Sequence, residues 1–505
     1  MFKVKKIEVD ASHDLIVMLL EEDAKELGLQ SGERVSISSE KTKKSVICEL
    51  EIIDFKKGKG AKKDINLKKG EIGLFESAFE KLAIWENKEV KLIPAKKPES
   101  IEFVKRKFLG EKLEEKQFLE IMKDIVNNSY SEIETTYFVL ACTINKLDEK
   151  ETISLTKAMV AVGKQLDFKI KPEDIIVDKH CIGGIAGNRT TMIVVPIIAA
   201  AGLTIPKTSS RSITSPAGTA DTMEVLANVN IKLTDMFNIV KKTKGCIVWG
   251  GGLDLSPADD LIIHVEHPLE LDSEGQMIAS ILSKKKSVGS THVLIDIPIG
   301  KTAKVTDIYK AEDLKKKFER IGAGIGMKIT VLISDGKEPI GNGIGPREEA
   351  VDVMAVLKNE ENHPVDLREK AVLMAGLIFE MANISKKNQG YLLAREILLS
   401  GKALEKFEEI IIAQGKKKEL PKAKFTEIIK SKQSGKVTSI HNKHISKLAF
   451  ILGAPQDKAA GIRLIKKSHH EVKKGEGLYT IYSNSELKLK YAKHFIENHE
   501  IYTIK

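Results

Sequence analysis

The chain has 505 residues, of which 42% are hydrophobic and 30% charged, and a formal net charge of +10. That length exceeds what one hydrophobic core organises, so several lobes are expected, and the composition excludes general disorder. The charge excess is mostly lysine spread along the whole chain; it fits attraction of phosphorylated or nucleic-acid ligands, but the solvated, lysine-rich surface of a heat-adapted protein accounts for most of it.

In chain order, residues 1–95 read as a β-rich domain. "FKVKKIEV", "ERVSISSE" and "KSVICELEI" alternate or are rich in β-branched residues. "KKGKGAKKD" reads as a solvated hairpin tip and "PAKKPES" as a linker. From about 100 to 168 the pattern turns helical. Phe118, Ile121, Met122, Ile125 and Val126 follow amphipathic spacing, and Ser131 with Glu134 forms a capping box. From about 172, "DIIVD", "TMIVVPIIAAAG", "CIVWGGG", "HVLIDIPIG" and "KITVLISD" read as buried strands of an α/β sheet. A helical insert at about 256–289 interrupts them. Short strands, "GIRLIKK" and "GLYTIYS", return after about 430. The expected fold is therefore α/β multidomain. It has a β-rich domain (1–95), a helical domain (100–168 plus 256–289), a large α/β domain with a mixed sheet (172–254 plus 290–430) and a β-rich C-terminal part (430–505).

Cys48, Cys142, Cys181 and Cys246 are far apart with no CxxC, so a disulfide framework is not indicated and a reducing cytoplasm is expected. The N-terminus lacks the apolar core of a signal peptide. The longest apolar run, residues 192–203, contains Pro196 and is too short to span a bilayer.

Three stretches carry candidate chemistry. "DKHCIGGIAGNRTT" (178–191) packs glycines, cations and hydroxyls against a buried run; this suits a phosphate cradle, and an ordinary strand-to-helix turn fits the same residues. "SSRSITSPAGTADTMEVL" (209–226) sets hydroxyls around Arg211 ahead of a helix start at Gly218 and Thr219, and two such segments together can hold one phosphate from two sides. In "LDSEGQMIASILSKKKS" (271–287), Ser280 and Lys284 share a helix face, and Asp272 is either a general acid or a helix cap. "GAGIGMK" and "GNGIGP" read as turns, and the histidines lack metal-ligand company.

"DKHCIGGIAGNRTT", "SSRSITSPAGTAD", "LSPADD" and "SILSKK", with "GMKITVLISDGKEPIGNGIG" and "KFLGEKLEEKQFLEIMKDI", resemble the thymidine/pyrimidine-nucleoside phosphorylase family over about residues 100–500. The β-rich extension and the variant motifs are similar to archaeal AMP phosphorylases. The chain departs from the nucleoside enzymes at several points. Cys181 replaces their serine, "RSITSPAGT" replaces a Gly- and His-bearing segment, "GKTAKV" puts Lys304 where an aromatic lines the base pocket, and "IIHVEHPLELDS" lacks their Tyr and Arg.

The resemblance implies phosphorolysis of a nucleoside 5′-monophosphate, AMP foremost with CMP and UMP as further substrates, to free base and ribose 1,5-bisphosphate. In that scheme Lys179, Gly183, Gly184, Ser209 and Thr219 hold the attacking phosphate, and Asp272 protonates the leaving base. Ser280 and Lys284 fix the base edge; Ser210, Arg211, Ser212, Ile213, Thr214 and Ser215 grip the 5′-phosphate. The phosphate and base sides lie on different lobes, with closure expected about segments near 170, 254 and 289. No metal or organic cofactor is expected, nor any nucleic-acid or membrane partner; a homo-oligomer, dimer or larger, is. The rival readings are a pyrimidine or broad nucleoside phosphorylase and, in a different class, a basic nucleic-acid-binding protein. Low aromatic content and the lack of a stacking platform speak against the latter.

Overall fold

Alternating burial along the first strands shows what the N-terminal residues build. In Arg34–Ser39 and Ile16–Leu20 every second side chain is buried, and six strands close into a barrel around Val4, Val17, Leu19, Ile37, Leu50 and Ile72. Closure removes the exposed edges that open sheets leave unpaired. The computed structural model describes residues 1–9, 15–54, 67–169, 171, 173–212, 215–271, 273–417 and 419–505. The expected hairpin tip at 56–64 lies outside them.

The barrel belongs to a first compact unit, Met1–Gly163 with Ser256–Ser280; the second is Lys164–Leu255 with Ile281–Lys505. In the first unit, helix Glu115–Val126 buries Phe118, Ile121, Met122 and Ile125, the spacing that its sequence shows. Ser131 and Asp148 cap the next two helices, their side chains accepting from the backbone N–H of Glu134 and Glu151. Ala258, Ile262, Val265 and Ala279, which arrive from the insert, complete the same core. That is why a distant segment belongs to this bundle.

The second unit rests on parallel strands. Val177–Cys181 pairs with His292–Ile299, which pairs with Lys328–Asp335, and Ile205–Ser209 pairs with Gly245–Trp249. A parallel bridge between Ile176 and Thr204 joins the two sets, so the carboxyl ends of all these strands share one edge. Antiparallel strands build the C-terminal part, with Gly461–Leu464 and Gly477–Ser483 at its centre. The chain is a multidomain α/β protein.

One expected strand is a helix. "TMIVVPIIAAAG" forms helix Thr191–Ala200, buried on every side from Thr191 to Ala199. Complete burial erases the amphipathic stripe, and its β-branched residues imitate a strand. The strand expected at "DIIVD" begins only at Val177 and runs through Cys181, so "DKHC" is strand rather than loop.

Candidate active site

Strand Val177–Cys181 places successive side chains on opposite faces. On one face lies Asp178, fully buried, with Lys285 Nζ at 2.9 Å and Lys207 Nζ at 3.3 Å. Burial alone would raise its carboxyl, but the two ammonium groups outweigh burial and hold it below the usual carboxylate range. His180 shares that face. Burial, reinforced by Lys285, Lys207, Lys179 and Lys284, pushes its imidazole well below its ordinary value, so it is neutral near pH 7. Burial and the neighbouring Lys285 also depress Lys207, whose Nζ donates to Thr208 O at 2.5 Å.

On the other face lies Lys179, 2% exposed, whose Nζ donates to Thr190 Oγ1 at 2.7 Å and Thr191 Oγ1 at 3.0 Å. Among the described residues it makes no ion pair within contact distance, and burial pushes it down to about 8, with Cys181 and Asp296 opposing. Asp296 is itself paired, with Lys370 at 2.9 Å. Cys181 Sγ accepts from Asn188 Nδ2 at 3.3 Å, and burial raises its thiol to about 11, so it is a thiol rather than a thiolate.

The loop that follows bends through Gly183 and Gly184, both in the left-handed region at φ 94° and 91°. A Cβ on Gly184 would stand 2.8 Å from the backbone nitrogen of Lys304, so the loop packs onto residue 304; the space beside Gly183 is open. Lys304 itself is exposed.

Arg189 ties the two hydroxyl-rich segments together. It pairs with buried Glu349, donates to the Ala217 carbonyl and reaches Thr219 Oγ1 at 3.2 Å. Thr222 Oγ1 donates to the same carboxylate at 3.0 Å. Ser209 ends its strand level with Trp249 on the neighbouring strand.

The 210–218 loop folds around Asp221, which accepts from the N–H groups of Ser212 at 2.7 Å and Gly218 at 2.9 Å. Ser212 and Ser215 donate their hydroxyls to Ser215 O and Ala217 O, so those protons are spent within the loop. Arg211 forks onto Glu224 at 2.8 and 2.9 Å, meets Asp221 at 3.2 Å, and lies 5.1 Å over the Trp249 ring. Lys458 holds the same two carboxylates, at 3.1 and 2.9 Å.

The second unit thus gathers Lys179, Gly183, Gly184, Ser209, Thr219 and Arg211 around the strand ends, with Ser210, Ser212 and Ser215 on the adjoining loop. Ser280 lies in helix Glu274–Ser287 at the end of the first unit's segment, and Lys284 follows one turn later in that helix. Asp272, Ile213 and Thr214 lie outside the described residues. Sequence reasoning missed Asp178, His180, Lys207 and Lys285; the signal was the alternation of "DKHC", which puts an acid and a histidine opposite a lysine. No group of three or more metal-ligating side chains occurs among the described residues, and no described helix is long and apolar enough to cross a membrane.

Three family profiles match, each over its own segment. They are the glycosyl transferase family helical bundle domain (101–163), the glycosyl transferase family a/b domain (173–266) and the pyrimidine nucleoside phosphorylase C-terminal domain (436–502). A protein of Acidovorax sp. (strain JS42) named "Putative thymidine phosphorylase 1" is 45% identical over 428 residues, 85% of this chain and 83% of its own. One of Bradyrhizobium diazoefficiens named "Putative thymidine phosphorylase" is 48% identical over 419 residues, 82% of this chain and 80% of its own. The solved anthranilate phosphoribosyltransferase of Thermus thermophilus shares the fold, with a TM-score of 0.52 at 20% identity over 62% of this chain and 98% of that one. With its helical-bundle, a/b and C-terminal segments all matched and its likeness to these bacterial relatives running along most of both chains, the protein belongs to the pyrimidine nucleoside phosphorylase family.

Proposed function

We propose that the chain cleaves the glycosidic bond of a nucleoside 5′-monophosphate, AMP foremost, with inorganic phosphate as the nucleophile. The observation that carries this reading is Lys179, a buried cation held by two threonine hydroxyls beside an open glycine loop. A buried charge is costly unless an opposite charge meets it, and a phosphate oxygen placed between Lys179, the Gly183 and Gly184 backbone, Ser209 and Thr219 meets it. The C1′–N bond breaks as the C1′–O bond to phosphate forms. Asp272 gives its proton to the departing base, and Ser280 and Lys284 orient the base edge. His180, neutral in this field, is not the cation that holds the phosphate. The reaction calls for no metal or organic cofactor, since phosphate supplies the nucleophile.

The nucleotide preference is supported by the "SSRSITSPAGT" loop, which carries hydroxyls where nucleoside enzymes carry glycines and a histidine, and by Lys304 in place of an aromatic; the Ser212 and Ser215 hydroxyls, which bond within the loop, reach substrate by exchanging those partners. To reach a 5′-phosphate, Arg211 exchanges Glu224 for substrate; Lys458 stays on both carboxylates and lowers the cost of that exchange. Two charge-assisted bonds at roughly 1.5–3 kcal/mol each imply that AMP is cleaved about two to four orders of magnitude more efficiently than adenosine. Competing release of base from AMP, CMP, UMP, adenosine, uridine and thymidine, each with phosphate, tests this. Equal or faster cleavage of the nucleosides rejects it in favour of the second reading, a nucleoside phosphorylase, which the names of the relatives favour.

A further inference from the structure

Gln276 sits in helix Glu274–Ser287, one turn before Ser280, and both belong to the first unit. The helix turns its small residues toward the bundle. A Cβ on Gly275 would lie 2.8 Å from Leu147 Cβ, and Ala279 is part of the helical core. Gln276 and Ser280 form the neighbouring stripe, spaced i, i+4, and Lys284 continues it. Gln276 is 2% exposed, and among the described residues neither its Nε2 nor its Oε1 has a hydrogen-bond partner. A buried carboxamide with neither end paired carries the full desolvation cost of both groups, which native proteins rarely retain without a reason. An apolar side chain of the same length would carry no such cost.

We infer that Gln276 reads the base: its carboxamide pairs, donor to acceptor and acceptor to donor, with adjacent groups on the base edge. A carboxamide presents an N–H and a C=O side by side, the complement of the adjacent acceptor and donor that adenine shows. The inference rests on the phosphorylase reading of this helix face. Gln276 is then a specificity-determining residue, and the cost of its unpaired state is relieved when the correct base enters. On the N7 and six-position edge adenine shows an acceptor beside a donor, whereas hypoxanthine shows two acceptors, so either orientation of the carboxamide leaves one of its ends unpaired, which is how hydrogen-bonding sites reject analogues.

The test compares full-length wild type with Gln276→Met and Gln276→Glu, using AMP and IMP, whose six-position groups are donor and acceptor respectively. The expected result is a wild-type preference for AMP that falls by about tenfold or more in Gln276→Met, with a melting temperature unchanged or higher, because the unpaired amide is gone. Gln276→Glu, which accepts but does not donate, loses the same preference while keeping the side chain's size. An AMP:IMP ratio equal to wild type in both variants overturns the inference alone. If wild type cleaves uridine and cytidine instead of nucleotides, the AMP reading fails and the inference falls with it, because uracil and cytosine each present a donor beside an acceptor that one turn of the carboxamide serves equally. Release of no base from any of these overturns the inference together with the phosphorylase reading.

Discussion

Lys179→Ala is expected to lower kcat/KM for phosphate by about ten- to 150-fold, the worth of one charge-assisted bond of roughly 1.5–3 kcal/mol. The lysine is buried, and its described side-chain bonds go only to Thr190 and Thr191; Thr190 already donates to Asn188 and keeps that partner once the lysine is gone. The loss therefore falls on phosphate rather than on the fold. The pH dependence carries a sign. Burial sets Lys179 at about 8, so as pH rises through 8 the group loses its charge. Phosphate becomes more anionic over the same range, which by itself would strengthen binding. A KM for phosphate that climbs above pH 8 thus reports Lys179, and the climb should vanish in Lys179→Ala. Steady-state kinetics from pH 6 to 9 on both proteins check this; a normal KM in the variant removes Lys179 from the site.

Asp178→Asn should destabilise the second unit by about 3–5 kcal/mol, the usual consequence of removing one partner from a buried charge cluster. Lys207 and Lys285 both lean on this carboxylate, and all three are almost wholly buried. Adding Lys207→Met should restore part of the loss, because it removes one of the two charges left uncompensated; urea unfolding of the single and double variants measures the coupling. The paired carboxylate titrates below its unfolded value. Its contribution is therefore fully present above the ordinary carboxylate range and is lost as pH falls through the depressed value. Additive losses in the double variant would show that the three groups do not act as one cluster.

The reach of sequence reasoning varied with the physics of each segment. Helix Glu115–Val126 was legible because one face is buried and the other wet, and the cap at Ser131 lies within one turn of its partner Glu134. Helix Thr191–Ala200 was not, because it is buried all round. The glycine loop and the Thr219 segment could be named from composition. That they adjoin depends on Arg189 reaching Thr219 and Ala217 and on Glu349, 160 residues from Arg189, receiving both Arg189 and Thr222, which no local pattern records. Arg211 could be picked out as a cation among hydroxyls; its fork onto Glu224 and its place over Trp249 are tertiary facts. Lys207 and Lys285 escaped notice because each reads as one more lysine in a lysine-rich chain, and only burial beside Asp178 distinguishes them.

The most direct measurement follows free base and sugar phosphate together, with AMP as substrate, in the presence and absence of inorganic phosphate. Adenine is expected only when phosphate is present, with one phosphate consumed per adenine released and ribose 1,5-bisphosphate as the sugar product. Release of adenine at the same rate without phosphate, with ribose 5-phosphate as the product, would contradict phosphorolysis, because water rather than the anion held at Lys179 would then be the nucleophile.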